Sequence, residues 1–421
     1  MAILVERDTI GIFGRMNSGK SSIMNLLTQQ ETSIVDSTAG TTADTKITLQ
    51  EIHGIGPVKI FDTAGADEQN ILGDKKRKKV FSDLKECDLA LIIIDPSKKD
   101  FITELELLNK ARDLDKQILI IYNLFQEKDF SNIKNIEETI PLLRFYKKIT
   151  ISAIDENNRQ PLLNFILKNF ESKNLKTPLL PFLKQNEYYI LVIPMDEETP
   201  PGRLLRPQAI TEEYITRNWA YPVCFRMDLG KARNKNIKIQ EKEKKRFLDL
   251  VNGLAKKPKA IVTDSQAMDI MNNWCPSNIG LTTFSIIMIN YISRGNLKDF
   301  VSGIKTLEKL KKQDKVLIVE ACNHSRIGED IGTVQIPNYL KNKIPEIIIE
   351  HNFGREFQEN NKLQEYKLII HCGACMISPQ KLMARIRDLE NLKIPFTNYG
   401  IILAYMQGEK ALKKALKLWG I

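Results

Sequence analysis

Two constellations in the chain combine residue types and spacings that do chemistry. The first is Gly14-Arg15-Met16-Asn17-Ser18-Gly19-Lys20-Ser21, a complete G-x-x-x-x-G-K-S. Its glycines let backbone N–H groups close around phosphates, and a helix beginning near Gly19 presents its positive end to them. Lys20 then reaches the β and γ oxygens, and Ser21 ligates Mg²⁺. The second is Cys322-Asn323-His324 together with His371-Cys372-Gly373-Ala374-Cys375. Three thiolates and two imidazoles are soft and borderline ligands, suited to Zn²⁺ or an iron–sulfur cluster. Spacing alone leaves both open and leans slightly to zinc, which as Cys₃His would be closed and structural. Three thiolates on a [4Fe-4S] cluster would instead leave one iron open to water, an imidazole, another metal fragment, or a carboxylate such as Glu320 or Glu329. Buried cysteines that bind nothing are the bland alternative.

Further pieces of a nucleotide site follow in order. Asp62-Thr63-Ala64-Gly65 matches D-x-x-G, in which Asp62 holds Mg²⁺ through water and the Gly65 N–H senses the γ-phosphate. Gly40-Thr41-Thr42-Ala43-Asp44 lies between the phosphate loop and Asp62, where a threonine must close over Mg²⁺; Thr42 is preferred to Thr41. Ser152-Ala153 looks like the loop that touches the guanine O6. The expected catalytic set is therefore Lys20, Thr42, Asp62 and Gly65, with Mg²⁺ on Ser21, Thr42 and Asp62. The expected nucleotide-binding set is Gly14, Asn17, Ser18, Gly19, Lys20, Ser21, Ser22, Asn123, Ser152 and Ala153.

These pieces resemble the translation-factor-like GTPases, in the branch with the tRNA-modifying and ribosome-assembly enzymes. Asn17 and the G-T-T-x-D switch resemble the potassium-dependent members, in which K⁺ replaces an arginine finger; a solvent-facing loop asparagine is the bland alternative. One departure matters. Where that family has N-K-x-D, this chain reads Asn123-Leu124-Phe125-Gln126. The family's Asp accepts two hydrogen bonds from guanine, whereas Gln126 accepts with one carbonyl. Charge-assisted bonds contribute about 1.5–3 kcal/mol each, so guanine preference should fall roughly tenfold to a hundredfold. No glutamine follows Gly65 to orient a water, Asp67 and Glu68 being no more than candidates, so slow regulatory turnover is expected.

Strong positioning elements are legible around these residues. Strands are expected at Thr9–Phe13, Lys46–Ile52, Val58–Phe61, Leu89–Ile94, Ile118–Tyr122 and Lys148–Ile151, with helical stretches such as Lys99–Leu114 between several of them. That alternation predicts a mainly parallel, helix-covered sheet, with one antiparallel hairpin at His53-Gly54-Ile55-Gly56-Pro57. Glu171–Pro181 reads as a linker. Next come strand Tyr188–Pro194, helix Gln208–Asn218, strand Tyr221–Met227 and helix Gln240–Leu254. A pair of short strands makes a modest core, which oligomerisation would complete. Alternation restarts at Ala260–Thr263 and continues through Val316–Glu320 and Leu368–His371 to a closing helix near Glu409–Leu418. The expected fold class is α/β throughout. Its domains are a phosphate-loop GTPase domain over 1–172, a small dimerisation domain over 183–264 and a metallocluster domain over 265–421.

Composition sets outer bounds. With 421 residues, 43% apolar and 27% charged, the chain has length for two or three cores and is neither disordered nor collagen-like. Ile279–Ile292 is too short and too polar to span a bilayer, and Glu6, Arg7 and Asp8 interrupt any leader peptide. A cytoplasmic protein without a membrane partner, its six cysteines reduced, is the expectation. Cys87, Cys224 and Cys275 are solitary and read as buried apolar filler. The net charge of +10 is mostly diffuse lysine, a solvated surface more than a binding stripe.

The chain as a whole resembles the HydF family of [FeFe]-hydrogenase maturation GTPases. The resemblance is carried by the potassium-type GTPase unit, the small middle unit, and Cys322-x-His324 followed by His371-Cys372-x-x-Cys375. The phrases Glu320-Ala321-Cys322, Ile327-Gly328-Glu329-Asp330-Ile331-Gly332 and Ile370-His371-Cys372-Gly373-Ala374-Cys375 are similar to that family's. The resemblance implies a GTP-hydrolysing scaffold with GTP, Mg²⁺, K⁺ and a [4Fe-4S] cluster on Cys322, Cys372 and Cys375. It would accept a transient diiron subcluster precursor made with two radical-SAM maturases and deliver it to apo-[FeFe]-hydrogenase. His324 and His371 match the signature as cluster ligands or as structural histidines beside it. A homodimer or higher oligomer is implied. The alternative is an RNA-modifying or ribosome-assembly GTPase with a structural zinc, which the basic charge favours. No RRM or KH signature and no aromatic-basic interleaving accompanies that charge, so nucleic acid is not the expected partner.

Overall fold

The computed structural model describes residues 8–29, 46–52, 54–63, 71–172, 177–194, 204–321, 330–354, 357, 360–374 and 377–421. They form two compact units, 1–176 and 177–421.

The first unit is a six-stranded sheet. Its strands are β1 (Asp8–Phe13), β2 (Lys46–Ile52), β3 (Gly56–Asp62), β4 (Leu89–Ile94), β5 (Gln117–Asn123) and β6 (Lys147–Ile151). The order is β2-β3-β1-β4-β5-β6, parallel except for the antiparallel β2/β3 hairpin, as the glycines and proline at its turn imply. β1 and β4 are buried along their whole length, the pattern of a strand covered on both faces. Side chains of β4 alternate between two cores. Leu89, Leu91 and Ile93 face helix α1 (Lys20–Thr28) and helix Arg159–Asn169, while Ala90, Ile92 and Ile94 face α2 (Ile71–Glu86) and α3 (Ile102–Asp113). Each fully buried Leu or Ile contributes roughly 1.5–3 kcal/mol, so the middle of the sheet is its most rigid part. All six expected strands are present with ends shifted by two residues or fewer.

The second unit holds two four-stranded parallel sheets. β7 (Tyr188–Pro194), β8 (Tyr221–Met227), β9 (Ala260–Thr263) and β10 (Gly280–Thr283) are ordered β10-β9-β7-β8. β11 (Lys315–Glu320), β12 (Ile348–Phe353), β13 (Tyr366–His371) and β14 (Phe396–Asn398) are ordered β12-β11-β13-β14. One continuous hydrophobic cluster joins the two sheets, running from Ile190, Val192 and Leu281 to Val316–Val319 and Leu368–Ile370. The middle sheet therefore has four strands where the sequence suggested a pair, because β9 and β10 join it. The expected boundary at 264/265 falls between those two strands.

The apolar run Ile279–Ile292 divides into β10 and a buried helix, Phe284–Ile292. Thr283 makes the division: its Oγ1 accepts the Ile286 N–H at 3.2 Å and caps the helix. Cys224 is exposed rather than buried filler, since β8 is an edge strand whose core face is taken by Phe225 and Met227. Among the described residues, no helix is long and apolar enough to cross a membrane.

Candidate functional site

The phosphate loop connects β1 to α1. Three of its residues have positive φ, Gly14 at 156°, Asn17 at 59° and Gly19 at 93°, backbone conformations of the kind from which anion-binding loops are built. Lys20 is buried and its Nζ donates to the Arg15 carbonyl at 2.7 Å, folding back across the loop. Ser21, exposed at the start of α1, donates from Oγ to Asp62 Oδ2 at 2.5 Å. The two expected Mg²⁺ groups that are described thus already meet. Ser18 is fully buried, and its Oγ has no hydrogen-bond partner among the described residues. Asn17 is exposed on the loop and Ser22 half-buried.

A second loop pair closes the base side. Asn123, at the end of β5, donates from Nδ2 to the Ser18 carbonyl at 3.0 Å and accepts the Ala153 N–H on Oδ1 at 2.9 Å. The Leu124 N–H reaches the Ile151 carbonyl at 2.8 Å, and Ser152 accepts from Asn158 Nδ2 at 3.3 Å. Phe125 and Gln126 are exposed at the tip. The Asp155 carboxylate caps its own loop: Oδ1 accepts from the Asn157 backbone N–H and Nδ2, and Oδ2 accepts from Asn158 Nδ2. Thr42, Gly65, Asp67 and Glu68 lie outside the described residues.

The cysteine–histidine region is built at the carboxyl ends of β11, β13 and β14. Val319 pairs with His371 and His371 with Asn398, so residues 320–321, 371–372 and 398–399 leave the sheet at one edge. Cys372 is buried, and its Sγ accepts the N–H groups of Ala321 at 3.3 Å and Ala374 at 3.4 Å. Backbone donors aimed at sulfur favour the thiolate that a metal or cluster needs. Ala374 takes φ 56°, making the turn after Cys372. Ser378 caps the helix Pro379–Asn391 by accepting the Lys381 N–H at 3.2 Å.

His371 is 3% exposed, and both ring nitrogens are engaged. Arg385 Nη1 lies 2.8 Å from Nε2, and Nδ1 lies 3.0 Å from the Cys372 carbonyl. A guanidinium only donates, so Nε2 accepts and the proton sits on Nδ1. Nearby, Tyr399 donates to buried Glu320 Oε1 at 2.9 Å. Burial, then the charges of Cys372 and Glu320, hold the Tyr399 phenol well above its ordinary range. Gly332 is required there: a Cβ would stand 2.1 Å from Glu320 Oε1 and 2.2 Å from the Tyr399 hydroxyl. Cys322, His324, Glu329 and Cys375 lie outside the described residues, among which no three His, Cys, Asp or Glu side chains form a metal-binding group.

Three family models match in chain order. Residues 9–124 match the 50S ribosome-binding GTPase, 179–292 the hydrogen maturase F dimerization domain, and 298–418 the hydrogen maturase F tetramerization domain. The chain belongs to the hydrogen maturase F family. Its first domain is a phosphate-loop GTPase domain, and both later domains are oligomerization domains. GTPase Der of Mycoplasmopsis pulmonis is 31% identical over 41% of this chain and 42% of its own length. The tRNA modification GTPase MnmE of Lactobacillus acidophilus is 33% identical over 38% of this chain and 33% of its own. The chain thus spans about two fifths and one third of these curated relatives. Among solved structures, Era of Aquifex aeolicus is 18% identical over 56% of this chain and 98% of its own, with a TM-score of 0.34.

Four residues of these sites, Arg15, Glu104, Arg385 and Tyr399, carry no signal in the sequence. Only Arg15 sits inside a motif, at a variable position. Glu104, Arg385 and Tyr399 are a helix residue, another helix residue and an aromatic of ordinary spacing, and no period or motif separates them from surface or core.

Proposed function

We propose that the chain hydrolyses GTP slowly with Mg²⁺ and K⁺ and serves as a cytoplasmic, oligomeric scaffold in hydrogenase maturation. The observation that carries this reading is the order of the three family matches, a GTPase domain followed by two hydrogen maturase F oligomerization domains. Lys20 and Ser21 would hold phosphate and Mg²⁺ with Thr42 and Asp62, Gly65 would sense the γ-phosphate, and Asn17 would hold K⁺. Cys322, Cys372 and Cys375 would hold a [4Fe-4S] cluster, whose open iron supplies a docking point for a diiron precursor. The donor set at Cys372 fits such a group, because two backbone N–H groups already face its sulfur. Two radical-SAM maturases would supply the precursor, and apo-[FeFe]-hydrogenase would receive it.

The RNA-linked alternative is not favoured. Der and MnmE match about two fifths of the chain, while residues 179–292 and 298–418 match maturase domains. Anaerobic purification with iron, sulfide and zinc analysis, followed by activation of apo-hydrogenase, tests the proposal. Iron and sulfide with activation support it; a colourless protein with stoichiometric zinc and no activation overturns it. KCl should accelerate GTP turnover over NaCl, and equal rates would remove Asn17 from its role. Lys20→Ala should abolish turnover while iron content persists.

A further inference from the structure

Arg15 stands inside the phosphate loop, yet its side chain turns away to α3. Its Nε lies 2.9 Å from Glu104 Oε1, and its Nη2 lies 3.3 Å from Glu104 Oε2 and 2.8 Å from Asp100 Oδ1. Glu104 is fully buried and Arg15 is 8% exposed. Removing Arg15 would leave Glu104 as an uncompensated buried charge, and removing Glu104 would leave the guanidinium held only by the largely exposed Asp100, so the pair holds its geometry stringently. Two carboxylates on one guanidinium also neutralise it, which removes Arg15 as a phosphate ligand. What remains is its backbone. The Arg15 carbonyl accepts Lys20 Nζ at 2.7 Å and the Ser18 N–H at 3.4 Å, so the residue fixed by α3 is the one on which the loop and its lysine rest.

We propose that Glu104 is a positioning residue for nucleotide binding, acting through Arg15 to hold the phosphate loop and the Lys20 ammonium in register before phosphate arrives. The proposal rests on the reading of Lys20 as a phosphate ligand. The clamp spares the loop an ordering step on binding, so its loss raises dissociation constants. Once phosphate is bound, the phosphate itself orders the loop, and the chemical step changes little.

The test uses the full-length protein with fluorescent GDP and a non-hydrolysable GTP analogue. In Glu104→Gln, both dissociation constants should rise about tenfold, with kcat at saturating GTP within about threefold of the parent. Arg15→Met combined with Glu104→Gln should be no weaker than Arg15→Met alone, because both changes break one clamp. Asp100→Asn removes a largely exposed carboxylate that does not threaten folding, and should weaken both nucleotides about twofold. Should Glu104→Gln fail to fold, Asp100→Asn and Arg15→Met decide the matter alone. Unchanged dissociation constants beside a lowered Tm would overturn the proposal, as would a loss confined to kcat. A parent protein that binds no nucleotide would instead sink the phosphate-loop reading itself.

Discussion

Asn123 Nδ2 donates to the carbonyl of Ser18, 105 residues earlier, while the same amide accepts the Ala153 N–H. One buried side chain thus ties the phosphate loop to the two loops of the base side. Asn123→Ala removes both bonds and leaves a carbonyl and an N–H short of partners, a loss of about 2 kcal/mol. GDP affinity should fall at least tenfold in equilibrium titration, with far-UV circular dichroism unchanged. Undiminished affinity would separate this amide from the nucleotide site.

Gly19 depends on that same amide. At φ 93° a side chain is strained by about 1–2 kcal/mol, and an added Cβ would stand 2.1 Å from Asn123 Nδ2 and 3.2 Å from its Cγ. Asn123 is pinned at both ends and cannot yield. Gly19→Ala should therefore lower both nucleotide affinity and Tm, and should cost less in an Asn123→Ala background, where the obstructing amide is gone and only the backbone strain remains. Equal penalties in both backgrounds would show that backbone strain alone is at work.

How much of this was legible from sequence differs between the two ends of the molecule. In the first unit, strand, phosphate loop and helix are consecutive, and local periodicity locates Lys20, Ser21, Asp62 and Asn123 almost to the residue. In the second unit, β10, β12 and β14 escape notice. β10 and β14 are four and three residues long, and β12 is an edge strand whose pattern, Ile348–Phe353, mixes Glu350, His351 and Asn352 with apolar residues. The pairing of β10 with β9 and of β9 with β7 is a long-range fact that no local window contains. The same limit hides Arg15 with Glu104 and His371 with Arg385, whose meaning arises only from folding.

Gln126 is exposed at the tip of the base-side segment, and the Asp155 carboxylate accepts from Asn157 and Asn158 within its own loop. Gln126→Asp should supply the second acceptor and the charge that guanine N1 and N2 groups use. The GTP over ATP preference should increase roughly tenfold to a hundredfold in competition titrations. An unchanged preference would mean that the base is read by another residue.

The three solitary thiols differ in access, and their chemistry should follow. Burial pushes Cys87 up to about 12 and Cys275 up to about 11; Cys224 reaches about 11 through partial burial beside Glu212. Thiolate is the reactive form, so native Cys224 should alkylate slowly at pH 8 and about tenfold faster per pH unit up to pH 10. Cys87 and Cys275 should label only on unfolding. Their folded values lie above the ordinary 9.0, so folding binds the proton more tightly. The associated stability is present below pH 9 and is lost as pH rises toward 11 or 12. Rapid native labelling of Cys87 in peptide mapping would contradict the burial seen in its core.

His371 and Cys372 are adjacent, yet the structure gives them different work. Cys372 offers a sulfur with two backbone N–H groups on it, whereas His371 spends one ring nitrogen on the Cys372 carbonyl and the other on Arg385. Ligation by His371 would require one of those bonds to break inside a buried site. Cys372→Ser should therefore remove most reconstituted [4Fe-4S] absorbance, and Cys322→Ser and Cys375→Ser should do the same if three thiolates share the load. His371→Gln should retain most of the iron while lowering Tm by a few degrees, because a buried bond to Arg385 weakens but no ligand is lost. Cys87→Ser and Cys275→Ser should leave iron content unchanged. Iron loss in His371→Gln as complete as in Cys372→Ser would make the histidine a ligand and show that one of its two bonds, to Arg385 or to the Cys372 carbonyl, breaks when the cluster assembles.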